Sequence, residues 1–119
     1  MERIESRINP SGAEYRQNFV LMEQAVKKLR DEVDRARDGG PESSRRRHLE
    51  RGKLLVRDRI RKLLDPNSAF LELSPLAAWG MYQGEAPGAG IVTGIGRIQG
   101  REAIVVANDA TVRAARITP

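Results

Sequence analysis

The chain has no cysteine, so a disulfide framework, a thiol nucleophile and a cysteine-ligated zinc site are all excluded. Aromatic residues make up only 4% of it. Tyr15, Phe19, Phe70, Trp79 and Tyr82 are the whole set, and large core anchors are correspondingly scarce. Histidine occurs once, at His48, and Glu50 alone beside it cannot complete a metal site. Ser43 and Ser44 have no base arranged to activate them, which excludes a Ser-His nucleophile system. No apolar run approaches the ~20 residues that a membrane span needs. The opening residues, MERIESRINPSG, lack the apolar segment of a signal peptide and carry two acidic residues. Together these absences predict a cytoplasmic protein with no metal and no membrane partner.

Charge is abundant by contrast. Charged residues are 31% of the chain and the formal net charge is +5. The excess sits in Arg45 to Lys62, where Arg45-Arg46-Arg47 leads into Arg51, Lys53, Arg57, Arg59, Arg61 and Lys62. Such a stretch serves as solvated helix surface with inter-subunit contacts, as a seat for a phosphate-bearing ligand, or as a nucleic-acid face. Arg51 and Lys53, flanking Gly52, suit a phosphate contact. They equally suit an ordinary helix C-terminus, where cations sit near the negative end of the dipole.

The first half reads as helix. Ser11-Gly12-Ala13-Glu14 has the form of a capping box. From there Tyr15, Phe19, Met22, Val26, Leu29, Val33 and Ala36 recur at alternating spacings of 4 and 3, a heptad-like seam. Gly39-Gly40-Pro41 supplies stop signals. At 1.5 Å per residue the helix spans roughly 40 Å. That length and one-sidedness predict an arm that packs on a partner subunit, with self-association as a coiled coil the alternative. A second helix is expected from about Glu42 to Arg51, ending at Gly52. A third, from about Val56 to Leu64, places Val56, Ile60, Leu63 and Leu64 on one face, and Asp65-Pro66 closes it.

The second half holds most of the glycines and the β-branched run. Phe70-Leu71-Glu72-Leu73 is a short strand or turn, and Pro75 to Pro87 a loop carrying Trp79, Met81 and Tyr82. Ile91, Thr93, Ile95 and Arg97 alternate with Val92, Gly94, Gly96 and Ile98, which is strand periodicity. Gln99-Gly100 is a turn, and Ala103 to Ala107 then runs without a polar break. An unbroken run predicts cover on both faces, as in an interior strand. With Pro119 the last residue, little sequence follows to cover it, so the hairpin is expected to belong to the front end of something larger. Gly94-Ile95-Gly96-Arg97-Ile98-Gln99-Gly100 is one residue too long for a dinucleotide fingerprint and leads into a strand. Its glycines are expected to serve tight sheet packing and a turn. Asn108-Asp109 is expected to make a turn through side-chain bonds to backbone, with the mouth of a ligand cleft as the other reading.

These blocks also carry a family likeness. GAGIVTGIGRIQG followed by NDATV, preceded by His48 to Leu55, Arg57 to Ile60, Leu64-Asp65-Pro66 and Phe70 to Leu73, resembles the carboxyltransferase (beta) subunits of biotin-dependent acyl-CoA carboxylases. The likeness is closest to those acting on 3-methylcrotonoyl-CoA and covers roughly Ser11 to Val112. It implies an α/β fold of crotonase/ClpP-like type, N-terminal part only. A long N-terminal helical arm would lead into a β-hairpin of an incomplete layered sheet. The implied organisation is a flexible N-terminus at 1–10, the arm at 11–66, and the truncated start of the carboxyltransferase domain at 67–119.

The resemblance further implies a ligase activity of the complete protein, in leucine degradation. Carboxybiotin donates its carboxyl group to 3-methylcrotonoyl-CoA at the γ carbon, and backbone N–H groups stabilise the enolate. Propionyl-, geranoyl- and acetyl-CoA are the competing substrates. Biotin would be carried by a biotin carboxylase alpha subunit, and the beta subunits would form a homo-oligomer. Nucleic acid is not an expected partner; a small basic helical interaction module without catalysis is the reading of another class. No residue is expected to be catalytic here, and the 119-residue chain alone is expected to be inactive. Arg51, Lys53 and Arg113 are the expected CoA contacts. Arg113 keeps the charge of the family's lysine, whereas Ala114 and Ala115 stand where the family has glycines.

Overall fold

The computed structural model describes residues 4–112. They divide into two compact units, one up to Glu32 and the other from Val33 onward.

The first unit is dominated by helix α1 (Ala13–Arg37), which runs on into the second. Its start differs from the capping-box expectation. The entry turn is held by Asn9, whose Oδ1 accepts the Ser11 N–H at 3.1 Å and whose carbonyl accepts the Gly12 N–H at 3.0 Å. Asn9 holds it because a short amide side chain bonds the backbone two residues on, and the turn runs from Asn9 through Ser11 to Gly12. Along the helix the Tyr15 and Phe19 rings stack with centroids 6.4 Å apart. Lys27 and Asp31 pair at 2.6 Å across one turn. Phe19, Met22 and Leu29 of the seam are exposed, as are Val20 and Leu21 beside it.

In the second unit α1 ends on the buried Ala36 and the Gly39 turn, and is followed by α2 (Glu42–Glu50) and α3 (Val56–Leu63). Three strands, β1 (Phe70–Leu73), β2 (Ile91–Ile98) and β3 (Arg101–Asn108), form an antiparallel sheet in the order β1-β2-β3. The β2–β3 turn has positive φ at both Gln99 (50°) and Gly100 (76°), the two-residue geometry that matches strand twist. Asp65, just past α3, clamps this turn. Its carboxylate accepts the N–H groups of Gln99 at 2.7 Å and Gly100 at 2.8 Å, while its own N–H donates to the Arg97 carbonyl at 2.8 Å.

Helix α3 lies on one face of β2 and β3 and builds the core there. Val56, Ile60, Val92 and Val105 are buried, with Leu64, Phe70, Ile98 and Ala107 packed around them. Gly94 and Gly96 make this approach possible. A Cβ at Gly94 would overlap the Phe70 ring, and one at Gly96 would overlap the Leu64 side chain. The glycines of the GxGxxxG stretch thus serve packing and a turn. Leu63, expected on the apolar face of α3, is half exposed, because the helix turns Val56 and Ile60 inward and leaves Leu63 at its rim.

Among the described residues the other face of the sheet is bare. Register aligns Leu71, Ile95 and Ile104 in one row and Leu73, Thr93 and Val106 in the next. Ile104 is 76% exposed and Val106 67%, whereas Val105 between them is 7% exposed. The run calls for cover on both faces, and among the described residues only the α3 face has it, so Ile104 and Val106 stay exposed, as expected of a run with little sequence after it to cover it. The strand lies at the sheet edge, and α3 supplies only one layer.

Part of the basic stretch is internal rather than solvated. Arg57 on α3 makes a two-pronged contact to Glu72 on β1, at 2.7 and 2.8 Å. Its Nε also donates to the carbonyl of Arg37 at 3.0 Å, so the end of α1, α3 and β1 meet at one guanidinium. The Glu72 side chain is only 10% exposed. Among the described residues no helix is long and apolar enough to cross a membrane.

Candidate functional site

A polar cleft of about 430 Å³ lies between α2 and the turn that follows β3. Helix α2 forms one wall. It starts after Pro41, whose carbonyl accepts the N–H groups of Ser44 at 2.9 Å and Arg45 at 3.0 Å, and it ends where Gly52 N–H reaches the Leu49 carbonyl at 2.8 Å. Ser44, Arg47, His48 and Arg51 fall at helical spacings of 3, 4 and 7, so all four project from one face toward the cleft. His48 is tied down by a 3.0 Å hydrogen bond between Nε2 and the Leu54 carbonyl.

The opposite wall is the Ala110-Thr111-Val112 segment. Asp109 organises it. One carboxylate oxygen accepts both the Thr111 N–H at 2.9 Å and the Thr111 hydroxyl at 2.6 Å. The Thr111 hydroxyl oxygen in turn accepts the N–H of Gly40 at 3.0 Å. Asp109 therefore serves a turn through side-chain bonds to nearby backbone. The same bonds fix one lip of the cleft.

The electrostatics separate two groups of arginines. Arg45 pairs with Asp38 at 3.9 Å and Arg46 with Glu50 at 3.7 Å. Arg47 and Arg51 face the cleft and have no carboxylate partner among the described residues. Glu85 also lines the cleft, and it has a partner of its own. Two uncompensated guanidinium groups beside a hydroxyl are suited to an anion with several acceptor oxygens.

Of the residues expected to contact a ligand, Arg51 lines this cleft and Lys53 does not. Arg113 lies outside the described residues, one position beyond Val112, which does line it. Ser44, Arg47 and Thr111 were not foreseen. The helical spacing of Ser44, Arg47 and Arg51 carries a signal for the first two; nothing local to Thr111 places it opposite α2. No group of three or more His, Asp or Glu side chains among the described residues could hold a metal. A second, more apolar cavity of about 250 Å³ lies against the Ala78-to-Pro87 loop. In that loop Ala78, Tyr82 and Gln83 adopt positive φ.

Comparison with known proteins decides the family. The Carboxyl transferase domain family model matches residues 47–119, more than half of the chain and the whole of the three-stranded sheet. The chain belongs to this family. It is 56% identical over 94 residues to the Mycobacterium tuberculosis biotin-dependent 3-methylcrotonyl-coenzyme A carboxylase beta1 subunit, covering 79% of this chain and 18% of that one. Against the mitochondrial methylcrotonoyl-CoA carboxylase beta chain of Dictyostelium discoideum it is 43% identical over 117 residues, covering 98% and 20%. Among solved structures, the beta subunit of P. aeruginosa geranyl-CoA carboxylase superposes with a TM-score of 0.79 at 33% identity, over 94% of this chain and 21% of that one. The chain thus spans about a fifth of the length of these family members. Its long helix followed by an antiparallel sheet is part of the crotonase-like fold of the carboxyltransferases.

Proposed function

We propose that this chain supplies part of a carboxyltransferase subunit that moves a carboxyl group from carboxybiotin to 3-methylcrotonoyl-CoA, a step of leucine degradation. The observation that carries the reading is the 56% identity to a 3-methylcrotonyl-coenzyme A carboxylase subunit, above the 33% to the geranyl-CoA enzyme. The reaction needs removal of a proton from the γ carbon of the acyl group and stabilisation of the resulting dienolate. Oriented backbone N–H donors suffice for that stabilisation. None of the described residues is assigned to this chemistry. The role given to this chain is to hold the acyl-CoA. Arg51, Lys53 and Arg113 are the candidate CoA contacts, with Arg51 at the polar cleft.

On this reading residues 11–66 are the helical arm and 67–119 the start of the carboxyltransferase domain. Biotin is carried by an alpha subunit, and no residue of this chain is assigned to it. The exposed seam of α1 supports packing within an oligomer of beta subunits. Geranoyl-CoA is the second reading, favoured by the structural match to the geranyl-CoA carboxylase beta subunit.

The test is a chimera in which this sequence replaces the matching 94 residues of the M. tuberculosis subunit. With the alpha subunit present it should carboxylate 3-methylcrotonoyl-CoA in preference to geranoyl-, propionyl- and acetyl-CoA. A correctly assembled chimera that carboxylates none of them would overturn the reading.

A further inference from the structure

We propose that the segment from Ser74 to Glu85 is a flap with two positions. In one the Trp79 indole stands partly out, as described above; in the other it fills the apolar cavity beneath the segment. The proposal goes beyond the carboxyltransferase reading and does not depend on it. Backbone strain is the first observation behind it. Ser74, Ala78, Tyr82 and Gln83 hold positive φ, at 48°, 57°, 52° and 58°. For residues with a Cβ this left-handed region is disfavoured by crowding against the following carbonyl oxygen. Such residues persist where their surroundings enforce them, and they cluster in switching segments. Here the surroundings enforce little. Among the described residues the segment's backbone bonds are its own turns, from the N–H of Ala77 to the Ser74 carbonyl, Trp79 to Leu76, Met81 to Ala78 and Glu85 to Tyr82, each at 3.0 Å. Its flanks are fixed by contrast. The Leu73 carbonyl accepts the Thr93 hydroxyl at 3.3 Å, Ala86 is buried, and the Gly90 carbonyl accepts the Asp109 N–H at 2.8 Å.

The cavity supplies the second position. Its 250 Å³ lie between the segment and the end of α1, bounded by Arg35, Gly39, Trp79, Gly80, Gly84 and Ala86. An apolar cavity of about 150 Å³ already takes a benzene ring, so this one has room for an indole. In the described position Trp79 is 42% exposed. Turning the indole inward takes apolar surface out of water and lets the strained residues leave the left-handed region. What opposes it is the loss of the turn bonds at Trp79 and Met81. Gly80 and Gly84 have open space where a Cβ would stand, so nothing blocks a pivot between them. Glu85, in the same segment, lines the polar cleft. The flap is therefore a wall shared by the two cavities, and its position bears on both.

Trp79 is the only tryptophan, so fluorotryptophan built into the full 119-residue chain reports on the flap alone by fluorine NMR. Two exchanging environments are expected, one open to a soluble paramagnetic quencher and one shielded from it. Ala78→Gly and Gln83→Gly relieve the strain of the outward position. Each should move the ratio toward it about fivefold, the population equivalent of one left-handed residue. Ala78→Val adds a β-branched side chain where φ is positive and should move the ratio inward. Benzene should compete with the indole for the cavity and empty the shielded population. The two glycine variants carry the test even if Ala78→Val does not fold. A single environment in the parent and both glycine variants, or a shielded population that ignores benzene, would overturn the proposal. Neither readout involves carboxyl transfer, so its failure leaves the carboxyltransferase reading untouched.

Discussion

The N–H of Gly40 donates to the hydroxyl oxygen of Thr111 at 3.0 Å, across a separation of 71 positions. This contact joins the turn before α2 to the turn after β3, and so sets the width of the cleft between them. It requires glycine, because a Cβ at position 40 would overlap the Thr111 carbonyl. Gly40→Ala should therefore cost about 2 kcal/mol or more, at the upper end of overpacking changes. Thr111→Val keeps the shape but leaves the Gly40 N–H without its acceptor and should cost about 1–2 kcal/mol. Urea unfolding followed by circular dichroism checks both. A Gly40→Ala protein as stable as the parent would contradict the close approach.

Arg57 and Glu72 form the second tie. Removing the guanidinium leaves a carboxylate that is 10% exposed without its main partner, with only Arg37 still 3.7 Å away. Arg57→Ala should destabilise by roughly 2–4 kcal/mol, the range for breaking a mostly buried pair. Replacing both residues, Arg57→Met with Glu72→Leu, should recover most of that loss. A double variant no better than the single one would count against the pairing.

Asp65 is predicted to hold the hairpin register. Asp65→Ala removes the acceptor for two turn N–H groups and should lower stability by about 1–2 kcal/mol, discounted because the turn is exposed to water. Hydrogen exchange should speed up first at Gln99 and Gly100. Unchanged exchange at both amides would contradict the clamp.

The bare sheet face makes a separate prediction. Ile95, Ile104 and Val106 present apolar surface of the kind that binds hydrophobic dyes and drives association. Ile104→Lys with Val106→Lys should sharply lower dye fluorescence of the 119-residue chain and raise its solubility, with the core on the α3 side unaffected. Dye binding that persists at full strength would place the exposed surface elsewhere.

Much of the fold was legible because its signals are local. The heptad spacing from Tyr15 to Ala36 marks α1, the alternation from Ile91 to Ile98 marks β2, and Gln99-Gly100 marks the turn. The misreadings came where a residue answers to something distant. The apolar run at Ala103 to Ala107 is not among them, since the exposure of Ile104 and Val106 is what a run with little sequence left to cover it predicts. Leu63 sits at the helix rim because α3 meets the sheet through Val56 and Ile60, a docking angle that helical spacing does not encode. The cleft was half visible. Arg51 was apparent from its place beside Gly52, whereas Thr111 reaches the site through Gly40, and no short window contains both. The basic stretch looked uniform, yet Arg57 is internal and Arg47 faces the cleft, a division made by carboxylates far along the chain such as Glu72.

The 119-residue chain alone should incorporate no labelled bicarbonate into 3-methylcrotonoyl-CoA, since it spans about a fifth of its family members and none of its described residues carries the chemistry. Turnover by the isolated chain would contradict that assignment.

The most direct measurement is labelled-bicarbonate incorporation by the chimeric subunit assembled with its biotin-carrying partner, ATP and 3-methylcrotonoyl-CoA. The account predicts carboxylated product at a rate within about tenfold of the parent enzyme, the span of a 1.4 kcal/mol change in barrier. An assembled, biotin-loaded complex that forms no product would contradict the claim that this sequence performs a carboxyltransferase subunit's work.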